Sequence, residues 1–123
     1  MVRVLVVDDD PVILQLVMLN LELEGHEVLS AATGAEALEV ARAERPEVLV
    51  LDVMLPEVDG FEVCRILTED PETTSIPIVL LSARALQSDV QRGLDAGATE
   101  YVTKPFDPLD LVAIIERCAA TSG

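Results

Sequence analysis

Short apolar runs recur along the chain, and between them the hydrophobic period lengthens from strand-like to helix-like. Residues 2–7 are apolar except for Arg3 and end in Asp8, Asp9 and Asp10. A continuous apolar run closed by polar residues predicts a strand covered on both faces. Further strands are predicted over 27–31, 47–51, 76–81 and 99–102, the fourth ending at Ser82. Asp10-Pro11 places a carboxylate cap before a proline at the first helical position, and the helix it opens runs to about residue 24. Gly25 stops it in a left-handed cap. Thr33-Gly34 opens a second helix, ended by Pro46 after residue 45. Asp59-Gly60 marks a turn before a helical stretch at 61–68, and Asp70-Pro71 begins a polar loop. A helix over about 86–96 stops at Gly97, and Asp107-Pro108 repeats the cap-plus-proline start for a last helix to about residue 119. The tail Thr121-Ser122-Gly123 reads as a frayed end.

Strand and helix thus alternate five times, without internal repeat or low-complexity segment. That order implies an α/β fold of (βα)5 type, one domain over 1–123, with a doubly wound parallel sheet under helices on both faces. The first helix is richer in apolar residues than one buried face requires. Ile13, Leu16, Val17 and Leu21 fall on one side, yet Val12, Leu14, Met18 and Leu19 are apolar too. The surplus is either an overpacked core or an exposed docking patch.

Composition narrows the class. At 123 residues the chain can bury a core without disulfides or metal staples, and with half its residues hydrophobic it is not a disordered segment. Phe61, Tyr101 and Phe106 are its only aromatics, so the core is aliphatic. A formal charge of -15 argues against direct nucleic-acid binding by this domain. Cys64 and Cys118 lack metal-ligand spacing and read as reduced thiols of a cytoplasmic protein. The opening Met-Val-Arg-Val leaves no room for a signal peptide, and no apolar run reaches membrane-spanning length, so no membrane association is expected.

The chemistry-bearing residues gather at one end of the strands. Asp8 and Asp9 follow the first strand, Asp52 the third, Ser82 the fourth and Lys104 the fifth. Taken singly, each has an ordinary explanation as a cap, a turn residue or a solvated charge. Together they are three carboxylates converging where an open α/β sheet binds its ligands. Such carboxylates repel one another, and a hard divalent cation such as Mg2+, bound by oxygen, relieves that repulsion. Lys104 adds a fixed positive charge and Ser82 a hydroxyl donor. Acid, metal, cation and hydroxyl suit phosphoryl transfer, with Asp52 as the nucleophile for an aspartyl-phosphate.

With these residues in place the sequence resembles the receiver domain of two-component response regulators, CheY-like and related to flavodoxin in sheet order. The resemblance rests on Val6-Val7-Asp8-Asp9, Leu51-Asp52-Val53-Met54-Leu55-Pro56, Asp59-Gly60, Leu81-Ser82-Ala83, Ala96-Gly97-Ala98 and Tyr101-Val102-Thr103-Lys104-Pro105-Phe106, in that order along the whole chain. It implies a five-stranded parallel sheet in the order 2-1-3-4-5. It implies further that Asp52 is the phosphoacceptor and that Asp8 and Asp9 are the metal-binding pair. Asp9, Asp52 and the Met54 backbone carbonyl would be Mg2+ ligands. Lys104 would contact the phosphoryl group, and its bond to Pro105 would be cis. Ser82 would swing toward the phosphoryl oxygen and Tyr101 would turn inward behind it, a two-state element. Tyr101 could otherwise be a strand residue packing on the last helix. Met54 and Arg84 would tune the phosphoryl lifetime. Val12, Ile13, Leu16 and Phe106 are candidates for docking the histidine-bearing donor.

The partners so implied are a sensor histidine kinase or histidine phosphotransfer protein, and a downstream effector protein or fused effector domain. A phosphorylation-dependent homodimer is a further expectation. Winged-helix regulators of this family use basic residues on the last helix to dimerise; the corresponding positions here are Ile114 and Glu116, so that particular dimer is not expected. His26 reads as an ordinary turn residue on the surface. On this reading the chain is no enzyme toward external substrates. It catalyses its own phosphorylation and dephosphorylation, and changes partner binding on the face of the fourth helix, fifth strand and last helix. The alternatives are a small Mg2+-dependent phosphohydrolase, which usually needs an acid where Met54 stands; a flavodoxin-type module, which lacks its glycine-rich phosphate loop; and a degenerate receiver binding partners without phosphate.

Overall fold

The computed structural model describes residues 1–122; Gly123, the end of the tail expected to fray, lies outside the described residues. Its elements alternate as β1 (Arg3–Val7), α1 (Pro11–Leu23), β2 (Glu27–Ala31), α2 (Gly34–Glu44), β3 (Val48–Asp52), α3 (Gly60–Glu69), β4 (Ile78–Ser82), α4 (Gln87–Asp95), β5 (Glu100–Thr103) and α5 (Pro108–Ser122). The five strands form one parallel sheet in the order β2-β1-β3-β4-β5. Fold class and strand order are those expected from the sequence.

Side-chain alternation along the strands divides the core in two. Leu5, Val7, Leu49, Leu51, Ile78 and Leu80 face α2 and α3, where they meet Ala37, Ala41, Phe61, Val63 and Leu67. Val4, Val6, Val48, Val50, Val79 and Leu81 face α1 and α5, meeting Val17, Leu21, Leu111 and Ile115. The inner strands β3 and β4 are buried along their whole length on both faces, which is why their sequences lack polar alternation, while the edge strands β2 and β5 stay partly exposed.

The helix ends obey local chemistry. Asp10 accepts a hydrogen bond from the Val12 N–H at 2.9 Å and caps α1, Thr33 accepts from Glu36 and caps α2, and Asp59 accepts from Glu62 and caps α3. Gly25 and Gly97 take left-handed φ of 86° and 108°. Arg45 and Glu57 also adopt positive φ, for which their side chains offered no sequence signal. β4 begins at Ile78 rather than 76, because Pro77 has no N–H to give a ladder and contributes only its carbonyl, accepting from Leu49. Among the described residues no helix is long and apolar enough to cross a membrane.

Candidate functional site

Between β1 and β3 the order of strands reverses direction along the chain, and the carboxyl ends of these two strands open a crevice there. Asp8 leaves β1 and Asp52 ends β3; both are buried, while Asp9 beside them is exposed. Carboxylate oxygens of Asp8, Asp9 and Asp52 lie within 4.8 Å of one another. From the far side β5 delivers Lys104, whose backbone N–H donates to the Ser82 carbonyl at 2.8 Å. That bond fixes β5 against β4. The Lys104 Nζ then stands 3.3 Å from Asp8 Oδ2 and 3.5 Å from Asp52 Oδ1.

The remaining contacts are short-range. Asp8 Oδ1 accepts from the Asp10 N–H at 2.9 Å, and Asp52 Oδ1 accepts from the Met54 N–H at 3.1 Å. Lys104 and Met54 both approach Oδ1 of Asp52, so Oδ2 is the oxygen neither engages. Burial pushes the Asp8 carboxyl above its ordinary value, and the neighbouring Asp52 charge adds to this. The Asp10 N–H and Lys104 oppose the rise without cancelling it. Two buried carboxylates and a third at the rim, with one held toward its neutral form, fit an oxygen-seeking divalent cation.

Ser82 is fully buried at the end of β4, and its Oγ accepts from the Arg84 N–H at 3.0 Å. Tyr101 is half-buried on β5, with its hydroxyl donating to the Arg84 carbonyl at 2.8 Å. Its ring lies over α4 at Gly93, where a Cβ would come within 2.8 Å of it. Tyr101 therefore joins β5 to the β4–α4 loop and to α4, rather than simply packing on α5. The Lys104-Pro105 peptide is cis, as the resemblance implied.

Of the two accounts of α1, exposure is the one realised. Val12, Leu16, Leu19 and Leu23 are exposed, while Val17 and Leu21 carry the buried face. Ile13 and Leu16 line a groove of about 360 Å³ with Ala83, Lys104, Pro105 and Phe106, alongside the crevice. Val12, expected with them, projects to solvent outside that lining. On α5, Ile114 packs against the core, Glu116 pairs with His26, and Arg117 pairs with Glu100 at 2.8 Å.

Two features escaped the sequence. His26 is not an ordinary surface residue, for its side chain is only 7% exposed. Nδ1 accepts from the Val2 N–H at 3.0 Å and Nε2 lies 2.8 Å from Glu116 Oε2, neither of which a turn position signals. Gly60, read as a turn residue, is required for a different reason. A Cβ there would strike the Asp52 carbonyl oxygen and come within 2.6 Å of Val53 Cα. The N–H of Gly60 donates to the Val53 carbonyl at 2.8 Å, so the start of α3 rests on the backbone that carries Asp52.

Known proteins share this fold. The family model of the response regulator receiver domain matches residues 4–116. RpaA of Synechocystis, a DNA-binding dual master transcriptional regulator, is 43% identical over 113 residues, covering 92% of this chain and 47% of RpaA. The chain thus spans about half the length of that relative. Protein PilH of Pseudomonas aeruginosa is 37% identical over 120 residues, covering 98% of this chain and 99% of PilH. The solved receiver domain of a Pseudomonas aeruginosa sensor histidine kinase has a magnesium ion coordinated in its active site cleft. It superposes with a TM-score of 0.89 at 31% identity, covering 97% of this chain and 98% of that one. With its sheet order, its crevice and these likenesses in agreement, the chain belongs to the response regulator receiver domain family.

Proposed function

We propose that Asp52 is the phosphoacceptor of this two-component signalling switch and that residues 1–123 act as one receiver. The observation that carries the reading is Lys104 Nζ held within 3.5 Å of both buried carboxylates, Asp8 and Asp52. A lone ammonium so placed offsets one negative charge among three carboxylates, so a divalent cation would still be attracted there. Oδ2 of Asp52 attacks the phosphorus of a phosphohistidine, the P–N bond breaks, and the imidazole nitrogen leaves with the bonding pair and takes a proton. Lys104 and the Ser82 hydroxyl donate to the phosphoryl oxygens. Asp9, Asp52 and the Met54 carbonyl, with Asp8 beside them, would hold Mg2+, which when bound would supply charge neutralisation for the transferring group.

The donor is a sensor histidine kinase or a histidine phosphotransfer protein, docking at the groove of Ile13, Leu16 and Phe106 with Val12 at its edge. The charge gained at Asp52 draws Ser82 inward, Tyr101 follows, and the surface of α4, β5 and α5 changes its affinity for an effector protein, a fused effector domain or a second copy. The chain promotes its own phosphorylation and dephosphorylation, turns over no external substrate, and works in the cytoplasm. Met54 and Arg84 set the lifetime of the phosphoryl group.

Intact mass after incubation with acetyl phosphate and Mg2+, for the wild type and Asp52→Asn, tests the chemistry. The expected result is a single phosphoryl adduct that requires Mg2+ and is missing from the variant. Absence of an adduct with both acetyl phosphate and a phosphohistidine donor, in folded protein, would make this a degenerate receiver that binds its partners without phosphate.

A further inference from the structure

α4 is the helix least secured by burial. Gly93 is its only buried residue, and its N-cap, Leu86, provides no side-chain hydrogen bond to the first turn. What ties that end to the site is Arg84. The Arg84 N–H holds the Ser82 hydroxyl oxygen at 3.0 Å, and its carbonyl takes the Tyr101 hydroxyl at 2.8 Å. Its side chain reaches Asp89 in the first turn of α4, Nε to Oδ1 at 3.6 Å. The Asp89 carboxylate is only 14% exposed, although the guanidinium is 49% exposed. One residue thus joins the hydroxyl that must move, the tyrosine that follows it, and the helix whose surface changes.

We propose that Asp89 is a positioning residue for Ser82, acting through Arg84: the Arg84–Asp89 pair holds the β4–α4 loop against α4 and sets how easily Ser82 moves toward Asp52. This rests on the reading of Asp52 as phosphoacceptor. The Arg84 N–H is bonded to Ser82 Oγ, so a shift of Ser82 draws the Arg84 backbone with it. The pair to Asp89 resists that shift. Loss of the pair weakens the resting arrangement alone, and a ligand that binds the shifted arrangement then binds more tightly.

Beryllium fluoride with Mg2+, a non-covalent phosphoryl mimic, is the probe. Its dissociation constant is measured by titration for the wild type, Asp89→Asn and Asp89→Glu, with Asp52→Asn as the blank. Asp89→Asn is expected to bind about two- to fivefold more tightly, the size of a partly exposed ion pair. Hydrogen exchange should quicken in the first turn of its unliganded α4. Asp89→Glu should return toward the wild type. The Asn effect should be lost in an Arg84→Met background, since the two residues act as one unit. Unchanged or weaker binding by Asp89→Asn, in a wild type that binds the probe, overturns the inference. No binding by the wild type beyond the Asp52→Asn blank would overturn the phosphoacceptor reading first, and this inference with it.

Discussion

His26 and Glu116 stand 90 residues apart in sequence and meet at 2.8 Å, Nε2 to Oε2, clasping α5 to the turn between α1 and β2. Because Nδ1 accepts from the Val2 N–H, the ring proton sits on Nε2 and is donated to Glu116. His26→Ala removes both bonds and leaves the Val2 N–H without its acceptor. We expect a loss of about 1–2 kcal/mol in urea unfolding. Glu116→Gln keeps an acceptor oxygen and should cost well under half as much. Equal costs for the two variants would mean that the charge on Glu116, and not merely an acceptor oxygen, carries the interaction.

Asp8 gives a pH-dependent prediction. Burial raises its pKa, so the fold favours the neutral carboxyl. The sign follows from linkage: the stabilising contribution is present below the ordinary value of 3.8 and is lost as the pH rises through the raised one. At neutral pH, without divalent cation, Asp8→Asn should therefore stabilise, by roughly 3–6 °C in Tm, equivalent to about 1 kcal/mol in a domain of this size. The gain should shrink on acidification toward pH 4 and on adding Mg2+ to the wild type. Calorimetry across that range checks it, and a variant less stable than the wild type at pH 7 would contradict it.

Gly60→Ala places a methyl group against the Asp52 carbonyl and the Val53 backbone, which cannot rotate away as a side chain could. The expected cost is about 1–3 kcal/mol, with acetyl phosphate acceptance slowed as Asp52 is displaced. Gly25→Ala, at a left-handed position with open space around it, should lose stability without slowing phosphorylation. Equal phosphorylation rates in the two variants would separate Gly60 from the site.

The thiol of Cys64 is pushed up to about 11 by burial, though a hydrogen bond from Thr68 opposes the rise. At pH 8 about one part in a thousand is thiolate, and the residue lies on the buried face of α3 within the core. Iodoacetamide should leave it unmodified in the folded protein and alkylate it fully in denaturant. Mass spectrometry after timed quenching reads this, and rapid native labelling would mean that α3 opens readily.

Whatever depends on near neighbours along the chain is legible in the sequence itself. Asp10-Pro11 and Asp107-Pro108 announce their helices, since a cap bonds to an N–H two residues on. Gly25 and Gly97 announce helix ends through backbone freedom. The apolar runs mark buried parallel strands, and polar residues at the ends of four of them mark the crevice. Their periodicity does not say which apolar surplus on α1 is left uncovered. That depends on how much of the helix α5 and the sheet can reach, and Val12, Leu16, Leu19 and Leu23 remain outside.

The rest arises between residues that only folding brings together. Nothing near His26 in the chain hints at Glu116, nothing near Gly60 hints that its missing Cβ makes room for Asp52, and Arg84 carries no sign of Asp89. Local chemistry is encoded by spacing, because a few backbone angles fix the distances between near neighbours. Long-range contacts depend on the packing of whole elements, where shifts of an ångström decide whether two groups pair. For this chain, composition and motif order are sufficient to set the elements, the fold class and the acidic crevice. Packing alone chooses which side chains hold α4 to the site and α5 to the turn between α1 and β2.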